Sequence, residues 1–487
     1  MNDGGSGGTG TVPPALSSEG PFILPQAAPP TLERSMKLIG ALLITLSSLT
    51  PASSVFIIMP QVISQAGTGV LIAFTAAAAV SMLIAYVYAE LCSAFPLTGG
   101  EYAIVGRVLG PFPGFIVLGV NLLVLLLNMA VIALGVGPYL EPVIGHVSPA
   151  AAGLVSVIFT TLCGVLNIRT NALITGAFLS LELLALVVLT VLGIMHPERS
   201  LAPMLAHPVM LGDGQHLMPT ALAALGLAGS ASIFANYGFG NAIFLGEETH
   251  DAAKQIARAV LLAMVIGYIT QIIPLAAVLA GARDLTALFG GGDAMFSHFV
   301  ADRGGRALSI VISLSIVLAI INCNIAFVVL VSRLLFSTGR DNVWPAPVNR
   351  ALLRIHPRFG SPWVATLACG GLAASLCLVP QYTLTVLTGT TIVVVYGALC
   401  VSALVGRRTG RTAHAQYRMP LHPWPSVLGL MGLGYVIYAS ALDPDVGRPS
   451  LWATALVITV SAAYYWLVLR RRGAWVLHQP IDPAGPV

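Results

Sequence analysis

One carboxylate lies deep inside an uncharged apolar stretch. Between Thr170 and Pro197 the sole charged residue is Glu182. A lone carboxyl at membrane depth costs at least ~2.5–3.5 kcal/mol on insertion scales, so it is expected to face the protein interior, protonated or paired. Its chemistry there is proton binding and release, which makes Glu182 the candidate coupling residue. The rival reading is a structural hydrogen bond between helices. Two interruptions supply a second kind of chemistry. One is Thr50-Pro51-Ala52-Ser53-Ser54, the other Asn236-Tyr237-Gly238-Phe239-Gly240-Asn241. Proline removes a backbone donor and clashes with the preceding turn, and two glycines in three residues weaken a helix. The N-terminus of a half-helix offers N–H groups to an anion, and the C-terminus offers carbonyls to a cation. Two facing breaks therefore suit a zwitterion without any charged side chain. A plain kink, with hydroxyls satisfying the backbone, is the alternative for each.

Further polar residues lie at membrane depth. Asn121 and Asn128 are about two turns apart and can share a helix face, whereas Asn322 and Asn324 cannot. Asn128 and Asn322 are candidates for substrate contact, against interhelical hydrogen bonds worth ~0.6 kcal/mol on average. Tyr396 is a candidate gate or a packing residue. Glu90, Glu101, Glu247 and Glu248 stand at helix ends with Arg107, Lys254 and Arg258 near in sequence. They read as surface termini and weak ion pairs, or else as an inner gate latched by charge. The cysteines, Cys92, Cys163, Cys323, Cys369, Cys377 and Cys400, form no CxxC and read as small buried hydrophobes. No GxxxxGK[ST] loop is present, no histidine lies deep within an apolar stretch, and no metal-ligand cluster is found there. The expectation is a non-enzyme with no cofactor and no metal.

These residues must be positioned by membrane helices. The chain has 487 residues, 56% apolar and only 9% charged, against roughly 25% charged in soluble domains. That excludes a soluble globular protein, a disordered chain and a nucleic-acid binder. A crossing helix needs ~20 apolar residues. Leu38–Ala89 is long enough for two, broken at Gly67-Thr68-Gly69. Val108–Leu140, Pro142–Ile168, Thr170–Pro197, Gly214–Gly246, Ala259–Ala282 and Ala307–Ser332 give one each. Phe359–Gly406 gives two around Val379-Pro380-Gln381, and Met419–Leu442 and Pro449–Leu469 bring the total to twelve. An even count puts both termini on one side. That side collects 18 of the 23 Lys and Arg residues, so both termini are expected in the cytoplasm. Residues 1–34 read as a disordered cytoplasmic tail, 35–472 as the transmembrane domain and 473–487 as a second cytoplasmic tail. With 21 Arg to 2 Lys and much Ala and Gly, the composition suggests a GC-rich bacterial genome and an inner membrane.

The two broken spans are five helices apart, so they run in opposite directions. Two five-helix halves, about 37–197 and 214–406, each opening on a broken helix, are the signature of an inverted-repeat transporter. Helices 11 and 12, about 419–472, fall outside the repeat.

Four stretches then resemble the amino acid–polyamine–organocation (APC) permeases. Ala89-Glu90-Leu91-Cys92-Ser93-Ala94-Phe95-Pro96-Leu97-Thr98-Gly99-Gly100-Glu101-Tyr102 is similar to their loop after helix 2. Ser332-Arg333-Leu334-Leu335-Phe336-Ser337-Thr338-Gly339-Arg340-Asp341-Asn342-Val343-Trp344-Pro345 is similar to the stretch after helix 8. Phe234-Ala235-Asn236-Tyr237-Gly238-Phe239 with Gly246-Glu247-Glu248 resembles their broken helix 6, and Tyr417-Arg418-Met419-Pro420-Leu421 the entry to helix 11. The resemblance implies the leucine-transporter type of fold and alternating access around a central site for amino acids or related amines. It places Ala52, Ser53 and Ser54 where the family's Gly-Ser/Thr-Gly amides meet the substrate carboxylate, with serine hydroxyls as substitute donors. It places Phe234, Ala235 and Tyr237 around the substrate amine, gives Gly238 the turn, and makes Phe234 an aromatic gate. It puts Glu182 on helix 5, where some members carry a coupling lysine.

The sequence thus points to an all-helical secondary transporter with twelve membrane helices, moving a neutral amino acid with the proton as coupling ion. An exchanger of amino acids or amines with the same fold is the alternative, and a non-transporting sensor is the rival class. The implied partners are a small amino acid or amine and the lipid bilayer.

Overall fold

The computed structural model describes residues 36–96, 99–145, 147–166, 168–212, 216–292, 295–444, 447–473 and 475. The expected tails, 1–34 and 473–487, lie outside the described residues save for Gly473 and Trp475. The chain opens with α1 (Leu38–Leu49), α2 (Pro51–Ser53), a π-helical turn (Ser54–Ile58), α3 (Met59–Ala66) and α4 (Val70–Ala94). It continues with α5 (Glu101–Leu109), α6 (Pro111–Leu134), α7 (Val136–Ile144), α8 (Pro149–Gly164), α9 (Ile168–Met195) and α10 (Leu201–Ala206). The hairpin β1 (Val209–Leu211) and β2 (Leu217–Pro219) precedes α11 (Leu222–Ala235), a 3-10 segment (Phe239–Glu248), α12 (Ala252–Gly281) and α13 (Leu285–Phe289). Then come α14 (Met295–Arg340, kinked at Gly305), α15 (Ala346–Leu352), α16 (Trp363–Leu376), α17 (Gln381–Arg408), α18 (Trp424–Leu442), α19 (Gly447–Tyr464) and α20 (Arg470–Arg472).

Among the described residues, eight helical stretches are long and apolar enough to cross a membrane, and α8 and α16 are shorter apolar helices. The most apolar windows of Pro111–Glu141 and Met295–Arg340 are each 78% buried, while that of Gly447–Arg472 is 11% buried. The first two therefore form the centre of the bundle and the last its rim. The stretch Leu38–Ala94 holds 57 residues, or ~85 Å of helix at 1.5 Å per residue, far more than a ~30 Å bilayer core. It folds back at Gly67, with φ 55° and ψ −130°. A Cβ there would meet Val209 O at 1.9 Å, so glycine is required both for the backbone turn and for the approach of the hairpin. Thr68 Oγ1 accepts from Val209 N at 2.9 Å, and Thr220 Oγ1 donates to Ala66 O at 3.1 Å. The hairpin was not expected from the sequence, which carries no strand-length alternation there.

Helix α9, which carries Glu182, is pressed onto α12 through small residues. A Cβ on Gly193 would meet Ala277 O at 2.2 Å, and one on Gly281 would meet Gly193 Cα at 2.7 Å. Bare backbone on both helices lets them approach this closely. Five of the six cysteines are buried and Cys163 is half-buried, all with free thiols, in keeping with their reading as small apolar residues.

The helix-end acids differ from the surface reading. Glu90, Glu101 and Glu248 are buried, at 1%, 1% and 3% exposure; the side chain of Glu247 is outside the description. Glu90 pairs with Arg407 at 2.5 Å and accepts from Met419 N at 2.8 Å. Glu248 pairs with Arg333 at 2.7 Å, with Arg333 itself 1% exposed. The nearby Arg107, Lys254 and Arg258 are not these partners. A carboxylate drawn into a bundle needs a cation from whichever helix packs across it, and that helix lies 85 or 317 residues away. Arg407→Gln is expected to lower stability by ~1–3 kcal/mol, because Glu90 would lose its cation while remaining buried; thermal unfolding in detergent micelles would measure this. An unchanged midpoint would show the pair to be inert.

Candidate substrate site and coupling site

The site is built on the interruption of the first helix. Thr50 adopts φ 44° and ψ 77°, a left-handed conformation uncommon outside glycine, asparagine and aspartate. Its N–H still donates to Leu46 O at 2.8 Å, and Pro51, with no N–H to place, starts the next turn. The change of direction points Thr50 Oγ1 and the Ala52 N–H at one atom. Glu182 Oε1 accepts from Ala52 N at 2.9 Å and from Thr50 Oγ1 at 3.0 Å. Thr50 Oγ1 also shares a 2.8 Å hydrogen bond with Ser53 Oγ. Asn322 Nδ2 donates to Ser47 Oγ at 3.1 Å and makes a long 3.5 Å contact to Glu182 Oε2. Asn322 Oδ1 is buried with no partner among the described residues. Glu182 is fully buried and forms no ion pair among them. The π-helical turn Ser54–Ile58 follows at once, a departure common at functional sites.

The second interruption meets the first. α11 ends at Ala235, Gly238 takes φ 114°, and the chain resumes as the 3-10 segment rather than an α-helix. Gly238 lies on Leu49, where a Cβ would be 2.7 Å from Leu49 Cα. Ser54 Oγ donates to Ala235 O at 3.0 Å and Asn241 Nδ2 to Ser48 Oγ at 3.2 Å, so each break satisfies polar groups of the other. At the far end of the segment, Met36 N donates to Glu248 O and His250 N to Met36 O, both at 2.9 Å. The entry to α1 and the exit of the segment are therefore tied together by backbone hydrogen bonds.

A small cleft of about 20 Å³, room for roughly one water, lies beside the two breaks, far below the ~300–1,000 Å³ usual for small-molecule sites. Thr50, Ser53, Ser54, Asn128, Phe234 and Tyr237 form its polar and aromatic walls, and Ile57, Ile58, Val131 and Ile132 its aliphatic ones. None of its wall residues is charged. Asn128 Nδ2 and the Tyr237 hydroxyl are buried without partners among the described residues, and such groups ordinarily find one.

Of the residues singled out from sequence, the cleft gathers Ser53, Ser54, Asn128, Phe234 and Tyr237. Ala52 is held behind it, its N–H committed to Glu182, and the carbonyl of Ala235 is committed to Ser54. Gly238 serves as the contact between the breaks. Asn322 faces Ser47 and Glu182, and Tyr396 stands one layer back, its ring 6.3 Å from Tyr237 and 5.9 Å from Phe239. Thr50 was missed as a site residue, because nothing local marks a threonine for a left-handed backbone.

An apolar helical bundle with an uncharged polar cleft between two interrupted helices defines a multi-pass membrane protein suited to a small solute. Residues 36–465 match the sequence profile of the family described as Amino acid permease, and the chain belongs to that family, within the APC superfamily. It is 28% identical over 359 residues to an uncharacterised transporter of Mycobacterium tuberculosis, covering 72% of this chain and 75% of the relative. It is 23% identical over 372 residues to a branched-chain amino acid permease of Bacillus subtilis, covering 72% and 76%. A methylthioribose transporter of Bacillus subtilis is 21% identical over 443 residues, covering 86% and 90%. The family and its transporter relatives point to a transporter of amino acids rather than an enzyme.

Proposed function

We propose that this chain is a secondary active transporter that moves a neutral amino acid by alternating access, with a proton on Glu182 as the coupling ion. The observation that carries the reading is the grip of Glu182 on the first break, through Thr50 Oγ1 and Ala52 N. A proton on Glu182 weakens both bonds, since they are made to a carboxylate. Protonation then frees the Ala52 N–H and the hinge of the first helix together. The cleft is beside that hinge, so substrate and proton bias the same element.

The uncharged walls support a neutral side chain, since an extra substrate charge would be buried without a partner. The substrate carboxylate is received by the Ser53 hydroxyl and by Asn128 and Tyr237, and by Ser54 once its hydroxyl is released from Ala235 O. Its amine lies toward the carbonyl end of α11, under Phe234. Twelve spans in two inverted five-helix halves, with both termini in the cytoplasm of a bacterial inner-membrane protein, complete the reading. The paired breaks and the 18 to 5 division of basic residues support it.

The test is uptake in proteoliposomes, with and without an inward pH gradient, over a panel of amino acids, amines and methylthioribose. Neutral amino acids should give the largest gradient-driven uptake. Glu182→Gln should lower that uptake by about 5- to 150-fold, the span of typical coupling energies, and remove its response to the gradient. A Glu182→Gln protein with wild-type uptake and pH response would sink the coupling role. Binding without flux would make the protein a sensor.

A further inference from the structure

A second buried acid is not used by this reading. Glu101, the first residue of α5, is 1% exposed. Its Oε1 accepts from the Tyr88 hydroxyl at 3.0 Å and its Oε2 from Asn121 Nδ2 at 2.8 Å. Glu90 and Glu248, at the same end of the bundle, each have an arginine. Glu101 has none: no ion pair to it forms among the described residues. The titratable groups that face it are Tyr88 and Cys92 from α4, Tyr237 from the second break and Tyr396 from α17. Asn121 is its polar neighbour on α6. Tyr102 and Arg107 share its helix, and Tyr102 is turned to Asp341 at 2.8 Å. Every titratable group facing it from another element is a weak acid, so the hydrogen bonds from Tyr88 and Asn121, with no cation across the packing, are what offset a negative charge on Glu101.

The surroundings fit the neutral acid. A phenol both donates and accepts, so a proton on Oε1 needs only the Tyr88 bond to reverse, while Asn121 keeps donating to the carbonyl oxygen. Burial pushes the Glu101 carboxyl, which lies ahead of the apolar span of α6, up to about 7 against the pull of these hydrogen bonds.

The lid over this acid is the segment after the second break. Phe239 packs edge-on to Tyr88 at 5.7 Å, Gly240 lies where a Cβ would meet Tyr88 Cε1 at 2.5 Å, and Phe244 fills the space beside Gly100. Tyr396 closes the cluster, 5.8 Å from Tyr88, and Tyr237 joins it to the cleft. Any motion that lifts Phe239–Glu248 away from α4 admits water to Glu101.

We infer that Glu101 is a proton-binding site that gates this end of the transporter, protonated while the Phe239–Glu248 segment is packed on α4 and ionised when that segment lifts. On opening, the O–H bond of the carboxylic acid breaks and its proton passes to water on that side, leaving a carboxylate solvated and held by Tyr88 and Asn121. On closing, the proton returns from the same side. The inference rests on the alternating-access reading but not on Glu182.

Cys92, fully buried on α4 and within electrostatic range of Glu101, reports the opening. The full-length protein in nanodiscs is labelled with a thiol reagent between pH 6 and pH 8.5, and Cys92 modification is read by peptide mass spectrometry. Wild type should label faster as pH rises, by more than Glu101→Gln does. Glu101→Gln supplies the intrinsic pH slope of thiol chemistry. The excess should be several-fold per pH unit and no more than about tenfold, the limit for one proton. Glu182→Gln should keep the excess. Equal slopes in wild type and Glu101→Gln would overturn the inference, as would loss of the excess in Glu182→Gln alone. Glutamine reproduces the shape and hydrogen bonds of the neutral acid, so a Glu101→Gln chain that fails to fold also counts against it. If flux is absent in proteoliposomes while the excess at Cys92 persists, the transport reading fails and what stands is the coupling of Glu101 protonation to the lifting of the Phe239–Glu248 segment.

Discussion

Gly238→Ala is expected to remove most of the folded, transport-competent protein. Two penalties act together at this position. Its φ of 114° lies in the region that residues with a Cβ rarely adopt, at about 1–3 kcal/mol. The added methyl would also lie 2.7 Å from Leu49 Cα and 2.9 Å from Leu49 N. These are backbone atoms with no rotamer to yield, and overpacking of this kind costs a further ~1–3 kcal/mol. The contact it breaks is the one that presses the two interrupted helices together, so the cleft would open even in molecules that fold. The check is monodisperse yield and thermal midpoint in detergent, with Gly434→Ala as comparison. Gly434 is within α18 and a Cβ there meets nothing within 4 Å, so alanine should be neutral or slightly stabilising at that position. Equal behaviour of the two variants would show that the break tolerates a side chain.

Arg333→Ala is expected to cost ~3–5 kcal/mol, the usual result of leaving one member of a buried ion pair unpaired. The guanidinium is 1% exposed. Its Nε donates to Glu248 Oε1 at 2.7 Å, and its Nη1 donates to Val329 O at 3.1 Å and to Ser332 Oγ at 3.0 Å. Removing it strands the Glu248 carboxylate inside the bundle. That carboxylate belongs to the residue whose carbonyl holds Met36, so the fault spreads to the entry of α1. The double variant Arg333→Met with Glu248→Leu removes both charges and should recover most of the lost stability, because apolar replacement of a buried pair is commonly neutral or better. Its transport then separates two roles. Restored stability with uptake still lost would mark the pair as a latch of the transport cycle, and restored uptake would mark it as packing only. A single variant as stable as wild type would show that the pair contributes nothing.

The parts of the site that could be read from the sequence are those with a local cause. Pro51 interrupts a helix wherever it stands, and Gly238 frees the backbone wherever its neighbours lie. The Gly67 turn follows from a stretch too long for one crossing. Glu182 is conspicuous because charge is so scarce around it. Asn128, Phe234 and Tyr237 could be placed near the breaks by helical spacing and by family resemblance, and all three are walls of the cleft. For Asn322 and Ala52 the sequence gives no sign of which way a side chain or an N–H points. Both turn to the Glu182 side of the first helix.

The sequence by itself determined that the chain is a helical membrane protein, where two of its helices are interrupted, and which carboxylate lies alone in an apolar run. These properties depend on apolar length, on proline and glycine, and on the cost of charge in hydrocarbon, each of which acts within a few residues. Only the tertiary structure decided which acids are paired and which is not. Glu90 and Glu248 are matched to arginines 317 and 85 residues away, whereas Glu101, beside Arg107 in sequence, is enclosed by tyrosines and an asparagine. Charge compensation is settled by which helices pack together, and sequence distance carries no record of that.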